Sequence, residues 1–184
     1  MTRSANCAGA STGRASRGQP GLLRAHLAAD PGDDLSRQLG RVLQVAEQQL
    51  GTPITPVEHI TVEGRLSSDP EYRASAAATS QLETVYAWTV CARLAAAPLG
   101  DRCQAAAVVA ISGWTSTYQP SGNPIDEARL IPLLQSIDLA TPLLSREQQG
   151  NTLAWVSALE ARGEAFYAAL SPSATSRSCS VKAG

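Results

Sequence analysis

The sequence has few aromatic residues, no long apolar run and no excess of charge of either sign. Aromatic side chains make up 4% of its 184 residues, so the core must consist mainly of Leu, Ala, Val and Ile. No apolar run approaches the roughly 20 residues that cross a bilayer, which predicts no membrane partner. The 15 basic and 16 acidic residues nearly cancel. This balance argues against a nucleic-acid partner, because such binding depends on a basic surface.

The N-terminal region lacks the apolar stretch of about 7–15 residues that follows the basic residues of a secretory signal. Ser, Ala, Gly and Arg dominate its first 20 positions. We therefore predict a disordered leader over residues 1–32 and a disordered Ser-rich tail over residues 172–184. If Met1 is the true start, the missing signal favours a cytoplasmic location.

The cysteines and histidines are few and form no recognised motif. None of the four cysteines forms a Cys-x-x-Cys pair, so the spacing predicts no metal site and no cofactor. Cys91 and Cys103 flank a Pro-Leu-Gly turn; either they form a disulfide within a helical hairpin or they are small core residues. The only histidines are His26 and His59. His59 is a candidate base, but nothing at a suitable spacing supports it, and we predict an ordinary surface or half-buried histidine.

What the sequence does contain is a series of helical patterns that Pro and Gly interrupt. Alanine is abundant and has the best helix propensity. Short links between helices imply antiparallel neighbours stacked as hairpins. The sequence predicts an all-α fold with helices over about 34–50, 69–97, 101–114, 127–144 and 145–170. It also predicts a connector over 51–68, with a strand as its alternative, and a break near Ile131 imposed by Pro132.

Several helix starts carry capping residues. Asp69-Pro70-Glu71 and Asn123-Pro124 each combine a capping side chain with a proline suited to the first turn. Asp101 is predicted to cap the alanine-rich helix that follows it. Ser145-Arg-Glu-Gln148 matches the capping-box pattern.

Two of these helices show apolar stripes that contain tryptophan. Residues at helical spacing are expected to share one face. The stripes are Cys103, Ala107, Ala110, Ile111, Trp114 and Tyr118 in one helix, and Trp155, Leu159, Gly163, Phe166 and Leu170 in the last. Trp88 lies on the helix before them, and the simplest prediction is that all three tryptophans belong to the core.

The candidate binding site is the polar loop from Tyr118 to Asp126. An exposed indole near carboxamides and carboxylates can bind a sugar ring, and the predicted binding residues are Trp114, Tyr118, Asn123, Asp126 and Arg129. The alternative is structural. Trp114 then belongs to the core, Asn123 and Asp126 cap the next helix, and Arg129 lies in water.

Five segments occur in an order that is similar to that of a known family. Leu66-Ser-Ser-Asp-Pro-Glu-Tyr-Arg-Ala-Ser-Ala76 opens a helix, and Cys103-Gln-Ala-Ala-Ala-Val-Val-Ala-Ile-Ser-Gly-Trp114 is an alanine-rich helix that ends in Trp. Thr115-Ser-Thr-Tyr-Gln-Pro-Ser-Gly-Asn123 is a polar loop, and the helices of Leu130–Leu144 and Trp155 follow it. From about Arg65 to Leu170, the sequence thereby resembles the alginate lyase family of polysaccharide lyases.

The resemblance implies a partial (α/α) toroid over residues 33–171, a periplasmic or secreted location and an acidic polysaccharide as partner. Members of the family cleave uronate polymers by β-elimination. One group neutralises the uronate carboxylate, a base removes the C5 proton and an acid protonates the leaving oxygen.

The sequence departs from the family pattern at two places. The resemblance implies a catalytic Asn-Asn-His/Trp segment and a later Tyr after the Trp155 helix, where this sequence has a short Ser-rich tail. The basic residue of the lid loop is replaced by Asn123, and the nearby Asp126 and Glu127 would repel a polyuronate. We therefore expect a truncated, inactive copy that self-associates through exposed apolar helix faces. The alternative is a non-catalytic helical module that binds a glycan or a protein.

Overall fold

A computed structural model describes residues 34–170. The chain divides into two units between Arg37 and Gln38, within the first described helix, and the packing described below is that of residues 38–170. The predicted leader (1–32) and tail (172–184), and with them His26, lie outside the described residues.

Helices are the only regular secondary structure between residues 34 and 170, which confirms the all-α prediction. The α-helices are α1 (Asp34–Gln48), α2 (Pro70–Ser80), α3 (Leu82–Leu94), α4 (Leu99–Thr117), α5 (Pro124–Glu127), α6 (Ile131–Ala140) and α7 (Arg146–Leu170), with 3₁₀ turns at Ala128–Leu130 and Thr141–Leu143. The connector between α1 and α2 forms no strand. In the part of the chain that the structure describes, no helix is long and apolar enough to cross a membrane.

The core is centred on α3, which is packed against α4 and α6. The sequence of α3 is apolar on nearly all sides, as is typical of a helix that other elements surround. All three tryptophans are buried, as predicted. The core also contains Leu82, Val85, Ala107, Ile111, Leu130, Leu133 and Ile137.

A disulfide joins α3 to α4. Cys91 and Cys103 are bonded, with their Cα atoms 5.9 Å apart, and both are fully buried. Only residues 95–98 separate the two helices, which are therefore held as a hairpin. Of the two alternatives that the sequence left open, the structure contains the disulfide.

The single helix predicted over about 69–97 is wrong, because the chain breaks it at Gln81. The Thr79 and Ser80 hydroxyls donate to the carbonyls of Ser75 (2.9 Å) and Ala77 (2.8 Å), and such side chains compete with regular helical bonding. The Gln81 side chain accepts a hydrogen bond from the backbone N–H of Thr55 at 2.7 Å. This contact ties the break to the connector, and a tertiary contact of this kind is invisible to helical periodicity.

The predicted helix starts are mostly confirmed. Asp69 Oδ1 accepts the Glu71 N–H at 2.9 Å. Ser145 and Gln148 form the reciprocal capping box, with distances of 3.2 and 2.9 Å. The prediction that Asp101 caps α4 is wrong, because α4 already begins at Leu99 and Asp101 lies in its first turn. There its carboxylate still interacts favourably with the positive end of the helix dipole.

The predicted break near Pro132 is confirmed. The chain passes from α5 through a 3₁₀ turn and starts α6 at Ile131, with Pro132 in its first turn. That position tolerates proline because the missing N–H has no partner inside the helix.

The stripe predicted for the last helix is only partly buried. Trp155 is buried and Leu159 is half-buried against the core. Leu170 is 64% exposed, so the final turns of α7 extend beyond the core.

Candidate functional site

The loop between α4 and α5 is attached to the connector between α1 and α2, residues 49–69. The Gln119 backbone N–H donates to the Glu58 carbonyl at 2.8 Å, and the Gln119 side-chain amide donates to the Glu58 carboxylate at 2.7 Å. His59 Nδ1 lies 3.3 Å from the Gln119 carbonyl oxygen. His59 is exposed, in agreement with the predicted surface histidine.

Two of the predicted binding residues use their polar atoms to hold the fold together. Asp126 is buried, and its Oδ1 accepts the backbone N–H groups of Val62 and Glu63, both at 2.8 Å. Asn123 Oδ1 caps α5 by accepting the Ile125 N–H at 3.0 Å, and its Nδ2 donates to the Glu63 carboxylate. The capping role considered for Asn123 is confirmed, whereas Asp126 does not cap α5 and instead binds the connector.

The Glu127 carboxylate stabilises the loop by accepting hydrogen bonds from its backbone. Its Oε1 accepts the N–H groups of Ser121 and Gly122 at 2.6 and 2.9 Å, and the Tyr118 hydroxyl lies 3.4 Å from the same atom. A carboxylate that accepts several N–H groups forms strong, charge-assisted bonds. The loop is therefore a closed, internally bonded unit.

The aromatic side chains next to the loop are buried. Trp114 is 0% and Tyr118 is 2% exposed, and the Tyr118 ring lies 6.3 Å from Trp114 and 6.2 Å from Trp155. Burial, and next the Glu127 carboxylate, raise the pKa of the Tyr118 phenol above its ordinary value. This corrects the expectation of exposed rings: neither ring presents a face that a sugar can stack on in this conformation.

Arg129, the last of the predicted binding residues, is exposed on the 3₁₀ turn Ala128–Leu130. Its position agrees with the alternative in which it lies in water.

A polar concavity lies next to this loop. We call it the polar groove; it lies between the C-terminal half of α4 and the N-terminal half of α7, has a volume of about 820 Å³, and is lined by Ser112, Gly113, Thr115, Ser116, Ser145, Glu147, Gln148, Asn151, Thr152 and Ala154. The five residues predicted from the sequence are absent from this lining.

The polar groove presents hydroxyls and carboxamides. Thr115 and Ser116 donate their hydroxyl hydrogens to carbonyls of their own helix, both at 3.0 Å, but the hydroxyl oxygens keep lone pairs that can accept. Asn151 is exposed and offers both a donor and an acceptor. Among the described lining residues, Glu147 is the one with an ionisable side chain. The arrangement is suited to a polyhydroxylated ligand.

Sequence reasoning missed this groove, although the part of its lining that α4 contributes could have been predicted. Once Trp114 is assigned to the core face of α4, Ser112 and Ser116 must lie on the opposite face, since two residues correspond to about 200° of helical rotation. The other half required knowledge that α7 lies beside this part of α4. Helical spacing carries no such information.

No group of three or more His, Cys, Asp or Glu side chains within the described range is arranged to hold a metal ion.

Comparison of the sequence with protein-family models and curated proteins, and of the structure with solved structures, finds no match. The similarity to alginate lyases therefore depends on the order of the sequence segments alone.

Replacing Asp126 with alanine should lower the free energy of unfolding by about 2 kcal/mol, because the N–H groups of Val62 and Glu63 would lose their shared acceptor. Asp126→Asn keeps an acceptor oxygen and should cost less. Urea unfolding measures both, with the exposed Asp101→Ala as control. A loss for Asp126→Ala no larger than that for Asp101→Ala would contradict the assignment.

Proposed function

We propose that the protein is a helical glycan-binding module that holds a neutral glycan in the polar groove without cleaving it. The observation that supports this most directly is the lining of the groove, where hydroxyls and carboxamides predominate. Such groups can donate and accept at the same time, as the hydroxyls of a sugar require.

The lining also supports binding without cleavage. β-Elimination needs a group that neutralises the uronate, a base and an acid. His, Tyr, Lys and Arg are absent from the described lining of the polar groove, and Glu147 is the single ionisable side chain in it. Its carboxylate also repels an anionic polymer. A neutral glycan therefore fits better than the acidic polysaccharide implied by the sequence resemblance.

The partial (α/α) toroid remains part of this proposal. It is supported by the antiparallel pairing of α3 with α4 through the disulfide and by the packing of α6 on α3. An experimental structure in which these helices do not stack as successive hairpins would contradict it.

We also propose a periplasmic or extracellular location. Disulfides persist mainly in oxidising compartments, and Cys91 and Cys103 form one. Thiol labelling of the protein taken from its host cells should find both cysteines blocked. Labelling of both would contradict this location.

Calorimetric titration with neutral and uronate oligosaccharides tests the function. We expect the neutral series to bind and Asn151→Ala to weaken it about two- to tenfold, the effect of one lost hydrogen bond. Gln135→Ala removes an exposed amide outside the groove and should leave the affinity unchanged.

Ultraviolet absorbance with alginate tests for the unsaturated product of elimination. We expect none. Turnover that Asn151→Ala abolishes, or tighter binding of uronate than of neutral chains, would overturn the proposal.

A further inference from the structure

A second groove adjoins the polar groove along α4. We call it the apolar groove; it lies between α4 and the start of the connector, has a volume of about 490 Å³, and is lined by Gly51, Thr52, Pro53, Ile54, Pro56, Trp88, Ala105, Ala106, Val109, Ala110 and Gly113. Gly113 lines both grooves.

The two grooves follow one track on the surface of α4. Ala105, Val109, Ser112 and Ser116 are spaced four, three and four residues apart, which places them on one helical face. Over these eleven steps the axis advances about 17 Å. The first two residues line the apolar groove and the last two line the polar groove. The track therefore changes from hydrocarbon to hydroxyl along its length.

The apolar groove has little to offer a polar ligand. Its described lining contains no charged side chain, and Thr52 and Trp88 are the residues there with polar side-chain atoms. The Thr52 hydroxyl donates to the Gln49 side chain at 3.0 Å, and Trp88 Nε1 donates to the Ala46 carbonyl at 3.1 Å. What remains is hydrocarbon, including Val109, which is 73% exposed.

We propose that the two grooves form one site for an amphiphile that consists of a neutral sugar head and an aliphatic chain. The head lies in the polar groove, and this half of the inference rests on the proposed function. The chain leaves the head beside Gly113, which lines both grooves, and lies along Val109 and Ala105. Burying hydrocarbon there removes an apolar surface from water.

A third groove, between α6 and α7, supplies the control. It is lined by apolar side chains that include Leu153, but Asp138 also lines it, and it shares Thr152 rather than Gly113 with the polar groove. Leu153 is 68% exposed, close to the exposure of Val109. Val109→Glu and Leu153→Glu are therefore matched changes at exposed helix positions, where glutamate is a good helix former.

The test is an NMR titration with methyl, hexyl and octyl glucoside, with the hexyl and octyl compounds kept below their critical micelle concentrations. We expect the affinity to rise about two- to fourfold for each added methylene, since full burial of one methylene corresponds to about fourfold. Val109→Glu should abolish this dependence on chain length and leave methyl glucoside binding unchanged. Leu153→Glu should change neither. Asn151→Ala should weaken all three glucosides by the same factor.

The outcomes separate the inference from the proposed function. If methyl glucoside binds in the polar groove and longer chains add nothing, the amphiphile site is wrong and the glycan site stands. The amphiphile site is also wrong if Leu153→Glu, and not Val109→Glu, removes the chain-length dependence. If octyl glucoside binds and Asn151→Ala has no effect on any glucoside, the sugar head is misplaced and both proposals fail. Both fail as well if no glucoside binds.

Discussion

Gly122→Ala should lower the free energy of unfolding by about 3 kcal/mol, the largest effect that we expect from a single substitution. Gly122 has φ = +83°, where a side chain adds strain, and an alanine Cβ would lie 2.3 Å from the Arg162 carbonyl oxygen. The left-handed conformation costs about 1–2 kcal/mol and overpacking costs about as much again. The neighbour is backbone of α7, so relief would require a shift of the helix or of the loop.

Gly64 provides the matched control for this substitution. It also has a positive φ, +67°, but a Cβ there would meet nothing within 4 Å. Gly64→Ala should therefore cost only the conformational part, about 1 kcal/mol. Urea unfolding of the two variants measures the difference. Equal losses would show that α7 does not lie against the loop as described.

Reduction of the Cys91–Cys103 disulfide should lower the free energy of unfolding by about 3 kcal/mol. The bond closes a short loop with a sequence separation of 12, and the cross-link restricts the unfolded chain by about this amount. It also fixes the hairpin that carries α4, and thereby one wall of both grooves. Urea unfolding with and without reductant measures the loss, and mass spectrometry confirms that the thiols are free.

The double variant Cys91→Ala/Cys103→Ala is the control for reduction. It should be less stable than the oxidised protein, and reductant should not change its stability further. If complete reduction leaves the stability of the original protein unchanged, the disulfide does not stabilise the fold.

Patterns within one helix were predictable from the sequence. The α4 stripe from Cys103 to Tyr118 is buried as expected, because helical periodicity is a local property. The capping box at Ser145 and the break at Pro132 depend on neighbouring residues alone. Gln81 shows what local patterns cannot predict. Its side chain accepts a hydrogen bond from the backbone N–H of Thr55, 26 residues earlier, and no local pattern contains that contact.

The same limit applies to the candidate site predicted from the sequence. The polar residues of the loop were recognised, but their partners were not. Asp126 bonds backbone groups 64 and 63 residues away, and Trp155 Nε1 donates to the Tyr118 carbonyl at 3.0 Å. These contacts direct the polar atoms of the loop inward, whereas the side chains that line the polar groove between α4 and α7 face an open concavity.

NMR chemical-shift mapping with a neutral oligosaccharide shows directly whether the glycan lies in the polar groove. We expect saturating glycan to perturb the backbone amides of Ser112, Thr115, Ser116 and Asn151, while those of Asn123 and Asp126 stay unchanged. Shifts confined to the loop from Tyr118 to Asp126 would contradict the assignment of the glycan to the polar groove.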